Sequence, residues 1–354
     1  MIFEFSGKRL SGVIACVPAN TRRFDDDATR YNFPLRKSMK LKELMGYDCH
    51  RVAPSGTCVS DLAIAAFREL FASTDVRADE IDALVFVTQS PDHFIPQTSV
   101  IVQHAVGLRE DVLCLDLNQG CAGYLHGLFE AFLLLENPEF RKIAVVTGDV
   151  LSRKVNPRDR NSHPLIGDGA ALSIVERSRE ASPIFCLNKT FGEGAFAIRI
   201  PAGGFRTPAS PETARETEDP DGNIRSANDL VMQGASVFSF VQEKVPPAVA
   251  ELLAHAGTRK EDVEFFAFHQ PNRFMLEKLA DALGVPREKM PNDIVTRYGN
   301  ASSATIPTVL ADNLRAPLSA GTHRTLLCGF GVGLTISAAL LDLGPLDFCK
   351  LIEI

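Results

Sequence analysis

Eight cysteines are scattered through this chain of 354 residues, and one of them, Cys121, has the surroundings of a nucleophile. It follows Asn118-Gln119-Gly120 where an apolar strand-like run (VLCLDL, 112–117) meets an apolar helical one (AGYLHGLFEAFLLL, 122–135). A thiol at a helix N-terminus sees free backbone N–H groups and the positive end of the helix dipole, both of which favour the thiolate. Gly120 permits the tight turn, and the small Ala122 and Gly123 leave room for a carbonyl group. A cysteine at a strand end is ordinarily packing, so the chemistry needs partners. His269 closes the apolar run FFAF just before the break Gln270-Pro271-Asn272, and Asn300 lies in RYGNASSATIPTVL at a turn before an apolar helix. Alone, the histidine would be a satisfied core or surface residue and the asparagine a helix N-cap.

Gly329-Phe330-Gly331-Val332-Gly333 does not fit a phosphate loop, because GxxxxGK[ST] is absent and a strand follows it. It is either a mere turn or a tight hairpin that offers a backbone N–H to a developing oxyanion. Gly167-Asp168-Gly169 has the same ambiguity, and a structural turn is the favoured reading. No CxxC pair occurs, and several cysteines sit inside apolar runs, so neither a disulfide framework nor a metal site is expected. The net charge of −7 argues against nucleic acid as a partner. No apolar stretch approaches the roughly 18 to 20 residues that span a bilayer, and the N-terminus lacks signal-peptide order, so a soluble cytoplasmic protein without membrane insertion is expected.

The elements that must position these residues come in two similar series. In the first half a helix (59–71), a strand (82–88), a strand (112–117), the helix after Cys121, a strand (143–147) and a strand (170–175) follow one another. The second half repeats the order with a helix near 237–255, a strand at 264–268, a helix at 301–314 and strands at 325–327 and 334–341. An acidic residue leads into the strand in both copies, EIDALVFVTQSP against EDVEFFAFHQPN. An internal duplication with halves 1–176 and 177–354 accounts for this, and apolar strands imply sheets covered on both faces, an α/β architecture. Pseudo-symmetry brings His269 to the same end of the sheets as Cys121 and gives Asn300 nearly the place of Cys121 in the second copy. Residues 201–228, rich in Pro, Gly, Thr and charge, read as a surface loop of the kind that covers a site.

Taken in order, DLNQGCAGY, IGDGAA, HQPN, YGNASSATIP and GFGVGLT resemble the motif series of the β-ketoacyl-acyl-carrier-protein synthase III family, over about Val59 to Leu343. The resemblance implies a thiolase fold, with duplicated βαβαβ halves stacked as five αβαβα layers, and a homodimer. It implies that Cys121 takes an acyl group from a coenzyme A or acyl-carrier-protein thioester, with the N–H groups of Cys121 and Val332 holding the oxyanion. His269 and Asn300 would then hydrogen-bond the enolate formed when a malonyl-type thioester loses carbon dioxide, and no cofactor or metal is called for. By the same carry-over, Ile95, Leu165, Ile166, Met232 and Phe238 line or neighbour the acyl pocket, Ile95 reaching the partner subunit, and Gly234 and Asn272 lie along the pantetheine channel.

The chain departs from the family pattern at the coenzyme A adenine clamp. It has no Trp, Met39–Gly46 supplies no Arg in register, and Phe274 stands where an Arg usually follows the HQxN motif, with Arg273 one place earlier. A specialised member, primed from a carrier protein, is therefore expected, with Arg153, Lys154, Arg158, Arg160, Arg273 and Lys278 as basic positions for the carrier. Two other readings keep the same residues: acyl transfer to an alcohol or amine without carbon–carbon bond formation, and a non-catalytic partner subunit.

Overall fold

Most apolar runs of the sequence become strands buried on both faces, the edge strand at 113–117 being partly exposed, and the computed structural model, which describes residues 1–354, arranges them in two sheets. The strands are β1 (Ile2–Phe5), β2 (Lys8–Val17), β3 (Ala83–Val87), β4 (Leu113–Leu117), β5 (Lys142–Asp149), β6 (Gly169–Arg177), β7 (Ile184–Thr190), β8 (Phe265–Phe268), β9 (His323–Gly331), β10 (Thr335–Leu343) and β11 (Phe348–Glu353). One sheet runs β11-β2-β6-β5-β3-β4 and the other β1-β7-β10-β9-β8. The duplication shows in the ladders: β2-β6-β5-β3 and β7-β10-β9-β8 share one order and one sequence of senses, antiparallel, antiparallel, parallel.

The flanking strands do not respect a cut at 176/177. N-terminal β1 pairs with β7 of the second sheet, and C-terminal β11 pairs with β2 of the first. Each would otherwise leave an open edge of unpaired N–H and C=O groups, so the two chain ends close each other's sheets. The proposed boundary itself falls inside the last two residues of β6.

Six helices matter for the site: α1 (Leu35–Met45), α2 (Val59–Ser73), α3 (Gly123–Leu134), α4 (Gly234–His255), α5 (Arg273–Leu283) and α6 (Thr305–Asp312). In α2 the buried Val59, Leu62, Ala63, Ala66, Phe67 and Leu70 recur at helical spacing, and Asp61 caps the start by accepting the Cys58 N–H at 2.7 Å. This stripe packs on Ile14, Leu84, Phe86 and Val146 of the first sheet. Helices α4 and α5 cover Phe266, Phe268, Leu326 and Leu340 on the far face of the second sheet. Between the sheets, α3 and α6 share one core with Val85, Val87 and Val145 on one side and Ala267, Leu327 and Ala339 on the other. The result is five layers, helix, sheet, helix, sheet, helix. The helix expected over 301–314 is broken up: Ser302–Ala304 is a 3-10 turn, α6 ends at Asp312, and a separate short helix occupies Arg315–Ala320. The local reason is Ser302, whose φ of 53° is outside the helical region.

Candidate active site

Cys121 sits in the turn between β4 and α3, where the Gly123 N–H bonds to Gly120 O at 2.6 Å. β9 runs directly against this turn. A Cβ added to Gly329 would lie 2.6 Å from the Ala122 Cα, and one on Gly331 would lie 2.7 Å from the Cys121 Sγ. The glycine run therefore serves close approach, and its first part is strand rather than turn, because β9 extends to Gly331. The Val332 backbone N–H and the Cys121 N–H both act on the sulfur.

The sequence led to the expectation of an easily ionised thiol. Instead, burial pushes the Cys121 thiol up to about 11; the Val332 N–H pulls it down, the Asp149 charge adds to the rise, and Cys121's own N–H acts against it. Loss of hydration outweighs these two N–H donors, so the balance lies toward the thiol.

His269 follows β8 and is buried, its N–H held by Cys328 O at 2.8 Å. Its Nδ1 lies 2.7 Å from the Thr305 hydroxyl, which in turn donates to Ser302 O at 3.0 Å. With the Thr305 proton used in that way, the network assigns the imidazole proton to Nδ1 and leaves a lone pair on Nε2. The ring stands edge-on to Phe330 at 5.7 Å. Burial lowers its pKa to about 3, so the imidazole is neutral at physiological pH.

Asn300 is fixed by backbone bonds to the 165–167 segment, Asn300 N to Leu165 O at 2.8 Å and Gly167 N to Asn300 O at 3.2 Å. Its Oδ1 accepts the Ser302 N–H at 2.9 Å, so the amide presents Nδ2 as its free donor end. It does not cap α6, whose N-cap position is Ala304. Gly167 and Gly299 pack backbone to backbone, and Asp168 spends its oxygens on Ala53 N, Ser152 N and Ser152 Oγ, which makes Gly167-Asp168-Gly169 a structural turn.

Cys121, His269 and Asn300 line one cavity of about 640 Å³. Leu165, Met232, Gly234, Phe238 and Asn272 line it too, and Phe238 stacks on Phe274 in its wall at 5.8 Å. Asn272 also caps α5, accepting the Met275 N–H at 2.8 Å. Ile166 and Ile95 do not line this cavity. Ile166 is turned into a small core with Phe24, Tyr31 and Tyr47, because its backbone is paired with Asn300. Ile95 is 84% exposed in a separate surface cleft beside Phe94. The 201–228 loop reaches the cavity mouth with Asp219, Asp221 and Arg225, pinned by Arg225 to Asp159 at 2.7 Å and by Asn156 to Glu216 at 2.7 Å.

Most of the basic positions expected to face a carrier are already engaged. Arg158 pairs with Glu216, Arg160 bonds the Asp221 carbonyl, Arg273 bonds the Glu43 carbonyl, and Arg153 bonds Pro54 O at 2.9 Å. Lys278 lies 4.0 Å from Asp281, while Lys154 is exposed. No helix is long and apolar enough to cross a membrane, and no group of three or more His, Cys, Asp or Glu is placed to hold a metal ion.

Two models of the 3-oxoacyl-[acyl-carrier-protein] synthase III family match the chain, one over residues 115–191 and the C-terminal one over 253–343. A putative 3-oxoacyl-[acyl-carrier-protein] synthase 3 of Campylobacter jejuni is 30% identical over 96% of this chain and 95% of its own length. The chain belongs to the 3-oxoacyl-[acyl-carrier-protein] synthase III family. A 3-oxoacyl-(acyl-carrier protein) synthase from Burkholderia xenovorans superposes with a TM-score of 0.92 at 32% identity, covering 100% of this chain and 99% of that one. A priming β-ketosynthase of a polyketide pathway superposes at 0.80 with 26% identity, over 96% and 98%. The protein is thus a β-ketoacyl synthase III-like enzyme with the thiolase fold.

Against this synthase framework, sequence reasoning missed Thr305, Ser302 and Asp149. Thr305 stands five places after Asn300 in a helical stretch, and Asp149 ends an apolar strand run where a solvated carboxylate is the ordinary reading. Neither position carries a signal in type or spacing.

Proposed function

We propose that the enzyme carries an acyl group on Cys121 and condenses it, with loss of carbon dioxide, onto a malonyl-type thioester. The observation that carries this reading is the shared cavity, which a thiol flanked by two backbone N–H groups, a neutral imidazole and an amide all line. In the first step the Cys121 sulfur attacks the acyl thioester while His269 Nε2 takes the thiol proton. The Cys121 and Val332 N–H groups hold the tetrahedral oxyanion. The carbon–sulfur bond to the donor then breaks, and the proton passes to the leaving thiolate, so the imidazole returns neutral.

In the second step the carboxylate of the malonyl-type thioester leaves as carbon dioxide, and the bond pair becomes an enolate. Asn300 Nδ2 donates to its oxygen. His269 donates there when its proton sits on Nε2, a tautomer the Thr305 hydroxyl supports by turning from Ser302 O to Nδ1. The enolate carbon attacks the acyl-Cys121 carbonyl, the carbon–sulfur bond breaks, and the sulfur takes up one proton.

Donor choice follows from the mouth of the cavity. Its arginines, Arg160 and Arg225, are held by the Asp221 carbonyl, Asp159 and Asp219, which leaves few free cations for a nucleotide phosphate. This favours a donor borne on a carrier protein and a specialised pathway role. A homodimer fits the open edge of β4, where Leu113 is exposed, together with exposed Phe94, Ile95 and Phe205. Incubation with acyl and carboxyl-labelled malonyl thioesters tests the chemistry. Labelled carbon dioxide and a β-ketoacyl product are expected; ester or amide formation without carbon dioxide would overturn the condensation reading.

A further inference from the structure

Behind the cavity wall lies a buried carboxylate that the proposed chemistry leaves unused. Asp149 ends β5 without exposed surface. Its Oδ1 accepts from Gln89 N–H at 2.7 Å and from the Thr88 and Ser90 hydroxyls at 3.0 Å each. Its Oδ2 is buried and takes no hydrogen bond, although the Ser302 hydroxyl faces the carboxylate closely enough to favour its charged form. A buried charge with an oxygen left unsatisfied is costly, and burial raises the Asp149 pKa to about 6.

Ser302 is the residue on which the other groups converge. It is the non-glycine residue with a positive φ, 53°. In that conformation its N–H goes to Asn300 Oδ1 at 2.9 Å, and its carbonyl receives the Thr305 hydroxyl that sits against His269. One backbone setting thus aims both the amide and the imidazole. On the other flank Gln89 lies against Gly120, the residue before Cys121, since a Cβ there would strike the Gln89 Oε1.

We propose that Asp149 is a positioning residue: through Ser302 and Gln89 it holds Asn300 and His269 in register with Cys121. The proposal rests on the condensation reading given above. The Asp149 charge raises the pKa of the Cys121 thiol, and the groups around the carboxylate itself are the hydroxyls of Thr88, Ser90 and Ser302 and the Gln89 N–H.

The test uses the full-length protein and compares Asp149→Asn and Ser302→Ala with wild type. Iodoacetamide alkylation of Cys121 against pH, single-turnover acylation, and carbon dioxide release are measured. Asp149→Asn keeps an acceptor for the three donors and removes the charge, so its melting temperature at pH 8 should not fall below wild type. Its alkylation profile should move to lower pH, while condensation slows about tenfold or more. Ser302→Ala should slow condensation similarly with little change in the alkylation profile. Wild-type condensation in both variants, or an unmoved alkylation profile in a folded Asp149→Asn, would overturn the proposal. Should Asp149→Asn not fold, wild-type condensation by Ser302→Ala alone would overturn it. If wild type itself releases no carbon dioxide, the condensation reading fails separately, and the alkylation shift still decides whether Asp149 acts on Cys121.

Discussion

Replacing Thr305 by valine removes a hydroxyl and little volume, and it should disable His269 while sparing the fold. The Thr305 side chain is buried, and its oxygen sits 2.7 Å from His269 Nδ1. Valine removes the hydroxyl partner of this buried ring nitrogen, a loss of about 1 to 3 kcal/mol for a buried polar group. If that loss falls on the transition state, turnover drops roughly 5- to 160-fold at about 1.36 kcal/mol per decade. The assay is single-turnover acylation of Cys121 followed by intact mass, together with carbon dioxide release from a malonyl thioester. Both steps should slow, since each needs a defined imidazole tautomer. Thr305→Ser, which keeps the hydroxyl, should recover most of the activity. A folded Thr305→Val protein that turns over within about twofold of wild type would refute the assignment of the tautomer to this hydroxyl.

Three further outcomes follow from the same geometry. Gly331→Ala places a methyl 2.7 Å from the Cys121 Sγ at a φ of 148°, so the sulfur must move, and a displacement of this kind should cost about 100-fold in acylation rate; acylation near wild type would show that the strand gives way instead. With its thiol at about 11, Cys121 should be alkylated about tenfold faster per pH unit from 7 to 10, whereas a plateau near neutrality would reveal a thiolate already formed. Burial lowers His50 and His163 to about 4, below the unfolded value near 6.5, so they contribute stability above pH 6.5 that is lost as pH falls through 4, about 3 kcal/mol each and less for the coupled pair. Urea midpoints should decline across that window, and less steeply in His50→Phe; a flat profile would contradict this.

The duplication and its Cys, His and Asn positions were legible because apolar period and residue order survive in the sequence of each half. Cys121, His269 and Asn300 each occupy a strand or helix end, and turn residues mark such ends. The exchange of β1 and β11 between sheets was not legible, since which edge a short terminal strand closes depends on non-local pairing. Ile166 is placed at or beside the pocket by the family resemblance, and the backbone pairing with Asn300 goes with a side chain packed in the adjoining small core. The thiol of Cys121 was judged from its helix-end donors, while the larger effect, loss of hydration, comes from the whole cavity wall. The Asp149, Ser302 and Thr305 contacts join segments more than 150 residues apart in the chain for Asp149, and no local pattern announces them.

The central claim is that Cys121 carries the acyl group and gives it up to a decarboxylated malonyl unit. Mass spectrometry of the peptide containing Cys121, after exposure to a panel of acyl-coenzyme A and acyl-carrier thioesters, tests it most directly. An acyl adduct on Cys121 that disappears on adding malonyl thioester, with carbon dioxide released and a β-ketoacyl product formed, is the predicted result. An adduct on another cysteine, or a Cys121 adduct that discharges without carbon dioxide, would contradict the account.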